Sequence, residues 1–253
     1  MNTTAIKDLI IKMADDELIL GHRNSEWTGL GPVMEEDIAF SSMAQDKIGH
    51  ALALYQILHE QLDGVDPDRF AFLRAEKDFR SSHLVEMPNG EYDFSLMRHF
   101  LFDHAEAVRY ESLAASAFEP LKSLAFKIKG ELKYHTLHAN AWVMQLSNAN
   151  EESHARMQQA LDNTIALAAG IFEPSEKWES DLISYEIYPG EQILFQRWIE
   201  RISPILEQAS LRLPDLKTVT PVYGGRKGYH TIYLQPLLTE MGEVYNLDAE
   251  ASW

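Results

Sequence analysis

Four ionisable side chains sit where helix periodicity asks for apolar ones: Glu17, His50, Asp103 and His135. Ile6, Ile10, Met13, Glu17 and Leu20 recur at alternating steps of four and three, so an acid interrupts the apolar face of one helix. His50 falls on a stripe with Phe40, Met43, Lys47, Leu54 and Ile57. Asp103 lies among Leu96, Phe100, Ala107, Tyr110 and Ala114, and His135 among Leu121, Ala125, Ile128, Leu132, Ala139 and Trp142. Carboxylates and imidazoles in such positions are costly to bury unless they pair or hold a metal ion. Two acids from two helices, with a Glu-x-x-His from each of two others, form the ligand set of carboxylate di-iron bundles. The i, i+3 step puts the Glu and the His on one helix face, giving a bridging carboxylate and a terminal imidazole.

The residue three places before each His therefore decides what the cluster can do. Before His50 it is Lys47, and before His135 it is Leu132. Both bridging carboxylates are absent from the pattern, one replaced by a cation and one by an apolar side chain. A protonated ammonium cannot ligate a metal, but it can neutralise the acids around it. Lys47 is thus expected to be a buried, paired charge facing Glu17 and Asp103. The reading is a degenerate di-iron site with no metal bound. Asp46 and Glu131 each precede a His by four residues and are the candidate substitute ligands, although each lies about 100° around the helix from the template position.

These residues need long helices to carry them. Glycine and proline are sparse and fall between periodic stretches. Helices are predicted from the start to the turn Ser25–Pro32, at about Val33–Leu62, at about Phe94–Ala117 and at Pro120 to about Leu146, with a short piece at Pro67–Ala75. Others follow near Glu151–Ala169 and Glu191–Gln208, and at about Tyr233–Tyr245. The expected fold class is all-α: a four-helix bundle over about residues 4–147, with additional helices over about 151–253, as a single domain spanning 1–253. Glu17 and His50 are 33 residues apart and Asp103 and His135 are 32 apart, which reads as a weak duplication of a helix pair.

Composition removes several function classes. The chain has 253 residues, 39 acidic against 22 basic, for a formal charge of −17. Such a surface repels phosphate backbones and anionic lipid, so neither nucleic acid nor membrane is an expected partner. There is no cysteine, which excludes thiolate ligands, iron–sulfur clusters, disulfides and cysteine nucleophiles. The first twenty residues carry acids within their apolar stretch and do not read as a signal peptide, and a cytoplasmic location is expected. One loop, Tyr223–His230 (YGGRKGYH), is locally basic. Arg226 and Lys227 are candidate contacts for a CoA phosphate or an acidic partner, against the plainer reading of a glycine turn whose cations pair with nearby acids.

A family resemblance fits the same residues. QDKIGHALALY (Gln45–Tyr55) resembles the QDE-x-GH-x-LYLY motif of the catalytic di-iron subunit of bacterial phenylacetyl-CoA epoxidase, with Lys47 where that subunit has Glu. ELILGHRNSEW (Glu17–Trp27) resembles its first ligand helix. The closer likeness is to the iron-free structural C subunits of these complexes, through SEWTG, LVEMPNG (Leu84–Gly90), the run Glu131–His135 and GGRKGYHT (Gly224–Thr231), in matching order over essentially the whole chain. The resemblance implies a ferritin-like fold and a place in aerobic phenylacetate catabolism. It also implies a non-catalytic chain without a cofactor of its own, paired with a homologous catalytic di-iron subunit that receives electrons from a reductase. Other epoxidase subunits are implied partners, with a homodimer when the chain is alone. The alternative is a di-iron oxygenase or ferroxidase acting by itself through Asp46 or Glu131.

Overall fold

The computed structural model describes residues 2–216 and 218–251. Among them are ten α-helices, four short 3-10 turns and no strand, an all-α architecture consistent with the expected ferritin-like bundle. The helices are α1 (Thr3–Ser25), α2 (Met34–Gln61), α3 (Pro67–Phe72), α4 (His83–Glu86), α5 (Tyr92–Leu113), α6 (Glu119–Ser147), α7 (Glu151–Ala169), α8 (Glu179–Ser184), α9 (Glu191–Gln208) and α10 (Leu234–Met241). No helix of the described residues is long and apolar enough to cross a membrane.

The chain divides into two compact units. The first holds residues 3–88 and 224–251, and its centre is the hairpin of α1 and α2. Glu35, Glu36 and Asp37 occupy the first turn of α2, where acids complement the helix dipole. Asp37 also accepts the amide of Gly29 at 2.6 Å, closing the turn between the two helices. Ile6, Ile10, Met13, Glu17 and Leu20 are all buried, as their spacing predicts. On α2 the buried face is Phe40, Met43, Lys47, His50, Leu54 and Leu58, with Leu58 rather than the expected Ile57 ending the stripe.

The second unit holds Asn2 and residues 89–223, built around α5, which packs against α6, α7 and α9. Pro120 stands in the first turn of α6, where its missing N–H has no helical partner to lose. Asn150 caps α7 through the Ser153 amide at 2.9 Å. The inward face of α6 is the expected one except at its end, where Val143 is buried and Trp142 sits half-exposed against Tyr92, edge to face with centroids 6.3 Å apart. Helix α5 stops at Leu113 instead of Ala117: the Ala115 and Ser116 amides bond only three residues back, to Ser112 and Leu113, and the Ala117 amide bonds to the Glu186 carbonyl at 3.0 Å. The last helix is shorter than its predicted span as well, ending at Met241.

Candidate functional site

Each unit brings one predicted acid to its predicted histidine. In the α1–α2 hairpin, Glu17 Oε1 lies 3.2 Å from His50 Nδ1, and Glu17 Oε2 lies 3.4 Å from Lys47 Nζ. Lys47 is wholly buried and Glu17 is 1% exposed. The helix spacing explains the meeting: Lys47 and His50 are one turn apart on α2, so both face the same point on α1. Asp46, the next residue round the helix, is half-buried.

In the α5–α6 hairpin, Asp103 is flanked by two imidazoles. His135 Nδ1 stands 3.8 Å from Asp103 Oδ1, while His99, one turn earlier on α5, makes a close contact through Nδ1 with Asp103 Oδ2. His99 Nε2 in turn lies 3.3 Å from Nδ1 of His138 on α6. Burial pushes the His99 pKa down, opposed by the carboxylate of Asp103, so the ring is held neutral near pH 7. A neutral His99 that donates from Nδ1 to Asp103 keeps Nε2 as an acceptor, and His138 must then donate to it. Leu132, at the template position, is buried, and Glu131 is half-buried.

Sequence reasoning placed Glu17, Lys47, His50, Asp103, Leu132 and His135 inside, and all six are buried. It missed His99, His138 and Glu106. Glu106 is 6% exposed and lies one turn after Asp103, a spacing that could have exposed it as a second inward acid of α5. His104 was missed too. Its Nε2 meets Asn140 Oδ1 at 2.8 Å, and burial pushes its pKa down to about 4.

A di-iron centre of the carboxylate type does not fit this donor set. The template needs an acid three residues before each histidine, and these positions hold an ammonium already 3.4 Å from Glu17 and a leucine. Asp103, the acid of the other hairpin, is engaged by His99.

The basic loop is placed differently from a phosphate contact. The guanidinium of Arg226 is buried, with Nη2 donating to Asp16 Oδ2 at 2.6 Å and Nη1 to the carbonyls of Lys12 and Arg80 at 3.0 and 2.6 Å. Lys227 is exposed.

Comparison with known proteins gives these observations a family. The model of a family described as phenylacetic acid catabolic protein matches residues 1–253. The C subunit of the 1,2-phenylacetyl-CoA epoxidase of Escherichia coli (strain K12) is 29% identical over 231 residues, covering 91% of this chain and 92% of that protein. The match runs through both helix hairpins and the C-terminal loop, and on it the chain belongs to the phenylacetic acid catabolic protein family.

Proposed function

We propose that this chain is a non-catalytic structural subunit of a phenylacetyl-CoA epoxidase, which pairs with and stabilises a homologous catalytic di-iron subunit in the cytoplasm. The observation that carries the reading is the buried Lys47–Glu17 pair. A cation supplied by the protein neutralises the acid that would otherwise call for a metal, so the hairpin folds without iron. The name of the Escherichia coli relative supports membership of a multi-subunit enzyme. An exposed apolar row along α2, Met34, Ile38, Ile48 and Leu52, suits a chain that is covered by another. A self-sufficient oxygenase using Asp46 or Glu131 has less support, since both acids lie at the half-exposed flanks of their helices.

Two measurements test the proposal. The chain, purified alone after growth in iron-rich medium, should carry far less than one iron per chain; near-stoichiometric iron would overturn the non-catalytic role. Co-expressed with the catalytic subunit, it should elute from size exclusion as a mixed complex, and separate elution would overturn the pairing.

A further inference from the structure

Helix α6 runs against the charge of its chain. Residues 120–150 hold four lysines and one acid, where the whole chain has 39 acids against 22 bases. The buried face of the helix follows Leu121, Ala125, Ile128, Leu132 and His135. The line opposite, which faces outward, is not the polar surface that an exposed helix face usually shows. Phe126 is 62% exposed, Tyr134 50% and Leu137 68%. At about 100° per residue these three and Gly130 occupy a strip about 80° wide, with Lys133 on one margin and Lys127 on the other. Both lysines are exposed, and among the described residues neither makes an ion pair. Lys129 lies against the Phe126 ring, its Nζ 5.8 Å from the centroid. Gly130 stands in the middle of the strip and in the interior of the helix, where glycine is destabilising relative to alanine. A Cβ there would meet nothing within 4 Å, so the packing around it does not require the glycine. What the glycine leaves is a notch in the strip, where another backbone can approach closely.

The chemistry of the strip selects what covers it. Apolar side chains between two cationic margins match a helix with an apolar seam between two carboxylates. A second copy of this chain meets the strip badly. A closed pair is two-fold symmetric, and an axis through Gly130 would set Lys127 of one copy against Lys133 of the other, because each lies three residues from it. Like charges so placed repel, and no acid on the strip offsets them. An anionic membrane is held by clusters of about four to eight cations, more than the strip carries. The counterpart is therefore a different chain, acidic where it meets the lysines.

We infer that the outward strip of α6, from Phe126 to Leu137, is the docking surface for the catalytic subunit, which lays on it a helix whose carboxylates meet Lys127 and Lys133. The inference rests on the pairing proposed above and adds the surface that makes it. The test measures binding of the purified catalytic subunit to this chain and to Phe126→Ala, to Gly130→Gln, and to Lys127→Glu combined with Lys133→Glu. Phe126→Ala should weaken binding by about 10-fold or more. Gly130→Gln fills the notch and should weaken binding by about as much. The double charge reversal should slow association and invert its dependence on salt. Alanine and glutamine are better helix formers than the residues they replace, so neither change should lower the melting temperature of the isolated chain. That separates lost docking from lost folding. If the unaltered chains associate and all three variants bind within about twofold of them, the docking surface is wrong and the pairing stands. If the unaltered chains do not associate, both readings fall. A homodimer of this chain that Phe126→Ala dissolves would put a second copy on the strip and overturn the assigned occupant.

Discussion

Lys47 Nζ lies 3.4 Å from Glu17 Oε2, and neither side chain is more than 1% exposed. The other oxygen of the same carboxylate faces His50. A buried pair of this kind can contribute little net stability while making each partner indispensable to the other, because removing one leaves a stranded charge.

Lys47→Met should therefore lower the unfolding free energy by about 3–5 kcal/mol in urea denaturation. Adding Glu17→Gln to the same chain should recover a large part of the loss, since the stranded charge is then gone. A single variant with an unchanged midpoint would show that Glu17 is compensated by groups other than Lys47.

Restoring a carboxylate at both template positions, Lys47→Glu with Leu132→Glu, should give a chain that retains iron or cobalt through desalting, read by metal analysis and by the cobalt visible spectrum. A folded double variant that stays metal-free would show that the ligand geometry has been lost along with the ligands.

Acid should weaken the α5–α6 unit through His104. Its folded pKa of about 4 lies below the ordinary 6.5, so the unfolded chain takes up a proton that the folded chain refuses. The stabilisation is complete above pH 6.5 and is lost progressively as pH falls toward 4, a fall of about 3 kcal/mol across the window. His99, lowered by the same cause, acts in the same direction. Unfolding free energy measured against pH should fall in this range, and His104→Gln should flatten the slope there.

Gly225→Ala should be poorly tolerated, because the added methyl would stand 2.0 Å from the Ser81 carbonyl oxygen. A cost of about 1–3 kcal/mol or more is expected from forced overpacking, seen as a lower melting temperature. Gly49→Ala, which meets nothing within 4 Å, is the control and should leave the melting temperature unchanged or raise it.

The inward faces of α2 and α6 were legible because each has an exposed side carrying polar residues to contrast with its apolar stripe; α1 was legible from the apolar spacing alone, since every residue from Lys12 to Gly21 is buried. Helix α5 was legible only in part. Every residue from Ser95 to Tyr110 is buried, so His99, His104 and Glu106 stand out against no exposed side, and periodicity cannot mark them. The end of α5 was misplaced for another reason: its stop is a tightened turn at Ala115 and Ser116, with Ser116 Oγ accepting the Phe118 amide, and AASAF has no glycine or proline to announce it. Charge pairing was the least legible feature. Asp15 meets Arg74, 59 residues away, and Asp16 meets Arg226, 210 residues away, separations that no local pattern encodes. Arg226 follows the plainer of the two expectations for the loop, paired with an acid, but that acid is the distant Asp16, while Lys227 is exposed.

The unit that contains α1 and α2 also contains residues 224–251, so its two parts flank the stretch 89–223 along the chain. A ribosome extrudes Asp16 and Glu86 more than a hundred residues before Arg226 and His230 exist to meet them. During that interval Asp16 and Glu86 lack the partners that Arg226 and His230 bring, while residues 89–223 follow one another without interruption. The order of completion is thereby reversed: the middle of the chain can finish folding before its beginning does. Loss of residues 224–251 would then do its damage among residues 3–88.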